Sequence, residues 1–239
     1  MKQHDTASDY FGSIADSYDS LIHRAVPRYD EMISRLFEYL PPHPGAILEL
    51  GAGTGNLTCQ LADRYPDATI VSVDASKEML DTTRQRLGEN VSHVRLIQSR
   101  FEELDLAPAS FDLVCSCISL HHVLDKASLF RAIRAWLRPG GRLGLADQCR
   151  GATDEIHAVN WRRWIDFCDS PGHCAADETK DLLDHAEAHD HYIPVREHFS
   201  LFEAAGFDPN SIDCVWRNWI WAILIADAPT EAAFEGSVG

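Results

Sequence analysis

The stretch Ala46-Ile47-Leu48-Glu49-Leu50-Gly51-Ala52-Gly53-Thr54-Gly55-Asn56-Leu57 decides how the rest of the chain is read. A short apolar run carrying one acid, Glu49, breaks into three alternate glycines before helix-forming sequence resumes at Leu57. The order is strand, tight turn, helix start. Without a β-carbon, glycine takes positive φ and lets a ligand lie against the main chain. The first N–H groups of the following helix stay free to face that ligand.

A glycine-rich turn alone says little, because dinucleotide enzymes place G-x-G-x-x-G at the same point. Here the spacing is G-x-G-x-G, and Asn56 stands where a nicotinamide-dependent oxidoreductase needs its last glycine. A nucleoside site also calls for an acid at the end of the second strand, about 20 residues on, to accept the ribose hydroxyls. Ile70-Val71-Ser72-Val73-Asp74 supplies it. A plain glycine turn between strand and helix is the competing explanation, and two features in register favour a nucleoside-binding α/β domain.

At these residues the chain resembles the class I S-adenosylmethionine-dependent methyltransferases. The matching pieces are Glu49 to Gly55, Val73-Asp74 followed by Ser76 and Met79, Phe111-Asp112-Leu113-Val114, Leu120-His121-His122-Val123 and Leu137-Arg138-Pro139-Gly140-Gly141. They occur in the family's order. The resemblance implies a Rossmann-like, doubly wound, seven-stranded α/β sheet ending in an antiparallel hairpin, with S-adenosyl-L-methionine as cofactor and methyl transfer as reaction. On it, cofactor contacts are expected at Tyr18, Tyr29, Glu49, Gly51, Ala52, Gly53, Asn56, Asp74, Ala75, Met79, Arg100, Phe101, Cys117 and Ile118. Arg100 departs from the family, which usually has an aspartate just after the third strand for the adenine amino group; an arginine cannot accept that hydrogen bond.

The charge balance narrows the partners. The formal net charge is −16, and from Gly151 onward there are five basic and 17 acidic residues. Polyanion binding needs basic groups that displace counterions, so nucleic acid and anionic membrane are disfavoured. No segment approaches the roughly 20 apolar residues of a membrane span, the start carries no secretory pattern, and the seven cysteines lack framework spacing. A cytoplasmic protein with reduced thiols is expected, and one domain over 1–239 is the natural division.

Within it, residues 1–44 form a helical cover, 45–149 the cofactor-binding core, 150–195 a lid insertion, and 196–228 a final helix and hairpin. The cover holds an amphipathic helix over 10–23 and a second that Pro27 opens. The core alternates strands at 46–50, 69–74, 94–97, 111–117 and 142–147 with helices at 56–64, after Ser76 and at 128–136. Arg138-Pro139-Gly140-Gly141 reads as a turn. The lid carries helices at 155–167 and 180–189. A helix at 197–205 capped by Gly206 leads to strands at 211–216 and 219–226 joined through Arg217-Asn218, and a loose tail follows Pro229.

In open α/β sheets ligands bind beyond the carboxyl ends of the strands, which puts His121 and His122 near the transferable methyl group. They are the candidate general bases, since histidine titrates near neutrality; either ring can instead only pack. In the lid, His185 and His189 share a helix face with Asp181 and His191 near, a spacing that suits zinc; without an H-E-x-x-H or paired-cysteine pattern, a solvated face is preferred and no metal is expected. Cys168 and Cys174 raise a thiophilic substrate without the cysteine set that chemistry needs. The segments Ala25-Val26-Pro27-Arg28-Tyr29 and His198 through Ala205-Gly206-Phe207 are similar to the carboxy-S-adenosylmethionine synthases of the tRNA wobble-uridine pathway, whose dimers make a homodimer plausible. Leu201, however, stands where that subfamily needs an arginine. The expected activity is therefore methyl transfer to a small-molecule acceptor, aromatic if Trp161, Trp164 and the hairpin tryptophans line its pocket. The alternatives are a carboxy-S-adenosylmethionine synthase, a non-catalytic binding protein and, behind them, the oxidoreductase.

Overall fold

Strands such as Ile47-Leu48-Glu49-Leu50 and Leu113-Val114-Cys115 are apolar on both faces, so a sheet built from them must be covered on both sides. The computed structural model, which describes residues 7–230, shows how. In chain order the elements are α1 (Ala7–Ala25), α2 (Tyr29–Tyr39), β1 (Ala46–Leu50), α3 (Asn56–Arg64), β2 (Thr69–Asp74), α4 (Lys77–Leu87), β3 (Val94–Gln98), β4 (Phe111–Cys117), α5 (Lys126–Trp136), β5 (Leu137–Gln148), α6 (Asp154–Cys168), α7 (Ala176–His189), α8 (Val195–Ala205), β6 (Asp213–Asn218) and β7 (Trp221–Asp227).

They form one seven-stranded sheet in the order β3-β2-β1-β4-β5-β7-β6. Strands β1 to β5 are parallel, and β7 runs antiparallel to both β5 and β6. Chain direction across the sheet switches between β1 and β4, which opens a crevice at their carboxyl ends. Alternate side chains feed two cores. Ile47, Leu113 and Ala146 pack with α1, α2, α3 and Trp164 of α6 on one face. Leu48, Val114 and Leu145 pack with Phe130 of α5 and Phe202 of α8 on the other.

Three local expectations fail. Pro27 does not open α2: Val26 N donates to Ile22 O, the chain turns through Pro27, and Arg28 at φ 62° precedes the first helical residue, Tyr29. The Arg138–Gly141 stretch is not a free turn but an irregular start to β5, with Phe111 opposite Leu137 and Leu113 opposite Arg142. Its backbone is held from the other side, where Gly140 N donates to Ala228 O and Ala228 N to Gly141 O. The hairpin turns at Trp219-Ile220 rather than Arg217-Asn218, because β7 pairs with β5 along Arg142 to Gln148 and the Cys149 N to Ile220 O bond prolongs that pairing. Of the tail expected to be loose, everything after Thr230 lies outside the described residues.

The lid is fastened to the cover. Trp164 Nε1 donates to Ala25 O at 2.8 Å, and Arg24 forks onto Glu178 of α7 at 2.5 and 2.7 Å. Among the described residues no helix is long and apolar enough to cross a membrane, and all seven cysteines are free thiols.

Candidate active site

The glycine loop closes β1 onto its neighbours. Gly51 N and Ala52 N both donate to Val73 O, at 2.8 and 2.9 Å. Gly51 sits at φ 85°, and a β-carbon there would lie 2.1 Å from Ser119 Oγ, so no other residue fits between the ends of β1 and β4. Gly53, at φ 54°, is the opposite case: nothing lies within 4 Å of where its β-carbon would be, and it borders open space.

Asp74 braces this loop. Its two carboxylate oxygens accept from Gly53 N at 2.8 Å and Ser76 N at 2.9 Å. Burial pushes its pKa up, and those backbone donors oppose the rise. Each oxygen retains acceptor capacity toward the cavity.

That cavity has a volume of about 620 Å³, within the range of small-molecule and cofactor sites. It brings together most of the residues singled out from the sequence. Gly51, Ala52, Gly53 and Asn56 form its floor, and Asp74, Ala75 and Met79 one wall. Arg100 and Phe101 form another, and Tyr18, Tyr29, Cys117 and Ile118 border it from the cover and the end of β4. Ile118 holds a left-handed φ of 54°, and its N–H is fixed on Ala146 O at 2.8 Å.

Two of the sequence candidates lie off the cavity. Glu49 is fully buried under the loop, where Oε2 accepts from Thr58 Oγ1 and Ser72 Oγ, each at 2.6 Å. Burial pushes its pKa up to about 7 against those two hydrogen bonds. His121 is buried behind the cavity: its Nδ1 is 2.5 Å from Asp147 Oδ1, and its backbone N donates to Asp147 Oδ2 at 3.0 Å. Only His122 of the pair reaches the cavity wall.

The electrostatics of the two histidines diverge. Burial lowers the His121 pKa, but Asp147 and Asp190 raise it more, so the net shift is upward. Burial and the neighbouring His121 lower that of His122 against the pull of Asp190. Burial alone would raise Asp190, yet His121 and His122 hold it well below the usual carboxylate range.

Several residues at or beside the cavity were not among the expected contacts. Phe11 stands edge-on to Tyr18 and packs on the His122 ring, with centroids 5.8 and 5.3 Å away. Asp19 of α1 accepts from Thr54 Oγ1 at 2.5 Å, Asn56 Nδ2 at 3.0 Å and Arg86 Nη1 at 2.6 Å, which ties the cover helix to the glycine loop. Ala188, His189 and His191 close the side under the lid. The alternative grouping of His185, His189, His191 and Asp181 is not among the converging ligand sets of the described residues, and the preferred solvated face fails at His185, which is buried and turns inward, its Nε2 3.7 Å from Asp190 Oδ1. Trp161 and Trp164 pack on each other 4.8 Å apart, and Trp164 and Trp221 are core residues rather than cavity walls.

Comparison with known proteins places this arrangement. Residues 47–141 match the family model described as a methyltransferase domain. The ubiquinone/menaquinone biosynthesis C-methyltransferase UbiE of Idiomarina loihiensis is 26% identical over 211 residues, 84% of this chain and 82% of that protein. The malonyl-[acyl-carrier protein] O-methyltransferase of Nitrosospira multiformis is 32% identical over 144 residues, 49% of this chain and 47% of that protein. Against that enzyme the chain thus spans about half the relative's length. Among solved structures, phosphoethanolamine N-methyltransferase 2 of Haemonchus contortus, in complex with S-adenosyl-L-methionine, superposes with a TM-score of 0.70 at 16% identity, over 94% of this chain and 59% of that one. The YcgJ protein of Bacillus subtilis superposes with a TM-score of 0.63 at 17% identity, over 85% and 100%.

Proposed function

The chain carries a class I S-adenosylmethionine-dependent methyltransferase domain, and on that premise we propose that it transfers a methyl group to a small organic acceptor held between α1, the turn after β4 and the lid. The observation that carries this reading is the single cavity with Gly53 and Asp74 at one end and Phe11, His122 and the end of α7 at the other. Its residues fit the cofactor. Bare backbone at Gly53 leaves room for a nucleoside, Asp74 offers its ribose a carboxylate, and Phe101 offers a ring face where Arg100 cannot accept from adenine.

When bound, the cofactor supplies an activated methyl on a sulfonium whose departure needs no acid. The protein's share is alignment and exclusion of water, which accounts for roughly 7–11 kcal/mol of such barriers. Ile118, fixed on Ala146 O, and the Phe11 ring set the wall against which the acceptor packs. If the acceptor nucleophile carries a proton, His122 is the group positioned to take it, and Asp147 holds His121 behind it.

The carboxy-S-adenosylmethionine synthase alternative needs an arginine at position 201. Leu201 packs into the core beside α5, and no residue of α8 borders the cavity. Ordinary methyl transfer in a reducing, cytoplasmic setting is the reading favoured, with a homodimer as a secondary expectation.

Calorimetry with S-adenosylhomocysteine tests the assignment. Asp74→Ala is expected to weaken binding at least tenfold, about 1.4 kcal/mol or more from lost charged hydrogen bonds; unchanged affinity would contradict the ribose role. Because burial and the neighbouring His121 lower the His122 pKa, the pH–rate profile for an acceptor that loses a proton should fall at a pH below the ordinary histidine value. A fall centred near the usual value of about 6.5 would remove His122 from the step.

A further inference from the structure

Behind the cavity, three imidazoles turn toward one carboxylate oxygen. Asp190 Oδ1 lies 2.9 Å from His122 Nδ1 and 3.7 Å from both His121 Nε2 and His185 Nε2. The Asp190 and His121 side chains are each 3% exposed, and that of His185 7%. Despite these distances, Asp190 Oδ1, His122 Nδ1 and both ring nitrogens of His185 lack an aligned hydrogen-bond partner. Buried polar atoms left this way are costly, and here they face a void of about 50 Å³.

From this geometry we propose a divalent transition-metal site, of the class zinc fills, with His121 Nε2, His122 Nδ1 and Asp190 Oδ1 as its protein ligands and a further position left to water. A proton bridges two atoms, whereas three donor atoms within reach of one point suit a cation; His185, 3.7 Å from Asp190 Oδ1, stands beside that set rather than in it. Tetrahedral zinc with bonds of about 2.0–2.1 Å separates its ligand atoms by roughly 3.4 Å, and the observed 2.9 and 3.7 Å bracket that value. The ligand atoms of His121, His122 and Asp190 already lie within 4.8 Å of one another.

An outer shell is also in place. Metal-bound imidazoles hold their other nitrogen on a carboxylate or carbonyl, which fixes ring and tautomer. His121 Nδ1 is 2.5 Å from Asp147 Oδ1, leaving Nε2 free to face the void. Tyr192 OH donates to Asp190 Oδ2, leaving Oδ1 to the imidazoles. A divalent charge would offset the two buried carboxylates, Asp147 and Asp190. Because His122 also borders the main cavity, the ion would sit beside the acceptor, where it could polarise an acceptor oxygen or nitrogen; ligation through Nδ1 would leave the His122 proton on Nε2, so the base role of His122 belongs to the metal-free enzyme.

The site stands on its own atoms and not on the cofactor assignment. The test is titration of the full-length, chelator-treated protein with Co²⁺, read by the visible d–d absorption of a four- or five-coordinate ion and by competition with Zn²⁺. One equivalent with that absorption is expected. His122→Gln and Asp190→Asn should each weaken binding at least about tenfold and Asp147→Asn about 10–100-fold. His43→Gln, at an exposed position on the loop before β1, should bind as the parent does. Circular dichroism identifies a variant that fails to fold, and His122→Gln then carries the test if Asp190→Asn does so. Absence of a bound equivalent in the folded parent overturns the proposal, as does binding that none of these substitutions changes. Calorimetry of S-adenosylhomocysteine on the metal-free protein reads the cofactor assignment separately.

Discussion

Glu49 shows how a residue can matter to the site without touching it. It sits under the glycine loop, bound by Thr58 and Ser72, with Oε1 left without a partner. Its pKa near 7 lies above the ordinary 4.5, so between those values the folded state holds a proton that the unfolded state has lost. Stability therefore falls as pH rises through that window, by about 3 kcal/mol at its upper end. Urea unfolding should show Glu49→Gln free of this loss, with its stability relative to the parent improving from pH 5 to pH 8. A constant difference between the two proteins would mean that Glu49 is ionised throughout. The sequence made the glycines and Asp74 legible because their roles are local, a backbone angle and a strand end. It hid Asp19 and the His121, Asp147 and Asp190 group, because those contacts join positions far apart in the chain and no periodicity reports them.

At the scale of elements, the first four parallel strands were readable almost to the residue, since burial on both faces leaves a continuous apolar run that breaks where the strand ends; β5 starts five residues earlier than its apolar run, through the Arg138–Gly141 stretch that read as a turn. The hairpin was misplaced by two residues for a complementary reason. Its turn is set by the pairing of β7 with β5 across the sheet, and Trp219 accepts φ 56° to satisfy it. The lid helices were visible as helices, but what holds them was not. Arg24 pulls the Glu178 pKa down to about 2 through their hydrogen bonds, yet both side chains are about one-third exposed. Such a pair contributes little to global stability, typically under about 1 kcal/mol. Glu178→Ala should accordingly leave the melting temperature almost unchanged while amide exchange across Ala176–His189 speeds up. Exchange identical to the parent would show that Trp164 on Ala25 O anchors the lid unaided.

For the whole molecule, a net charge of −16 makes self-repulsion a standing term against the compact state. Screening should relieve it: the melting temperature is expected to rise as sodium chloride goes from about 10 to 150 mM, over which the Debye length shortens from roughly 30 to 8 Å. A fall would mean that the ion pairs outweigh the repulsion. The cover helix α1 adds a consequence for turnover, because it is latched to the glycine loop through Asp19 and to the lid through Arg24. On the proposed assignment, a nucleoside settling on that loop would steady the same helix that borders the acceptor, so the two substrates should load in sequence, nucleoside first and acceptor second, and the demethylated nucleoside should be last to depart. Product-inhibition kinetics would then show S-adenosylhomocysteine competing with the methyl donor alone, whereas a random scheme would let either substrate bind the empty enzyme.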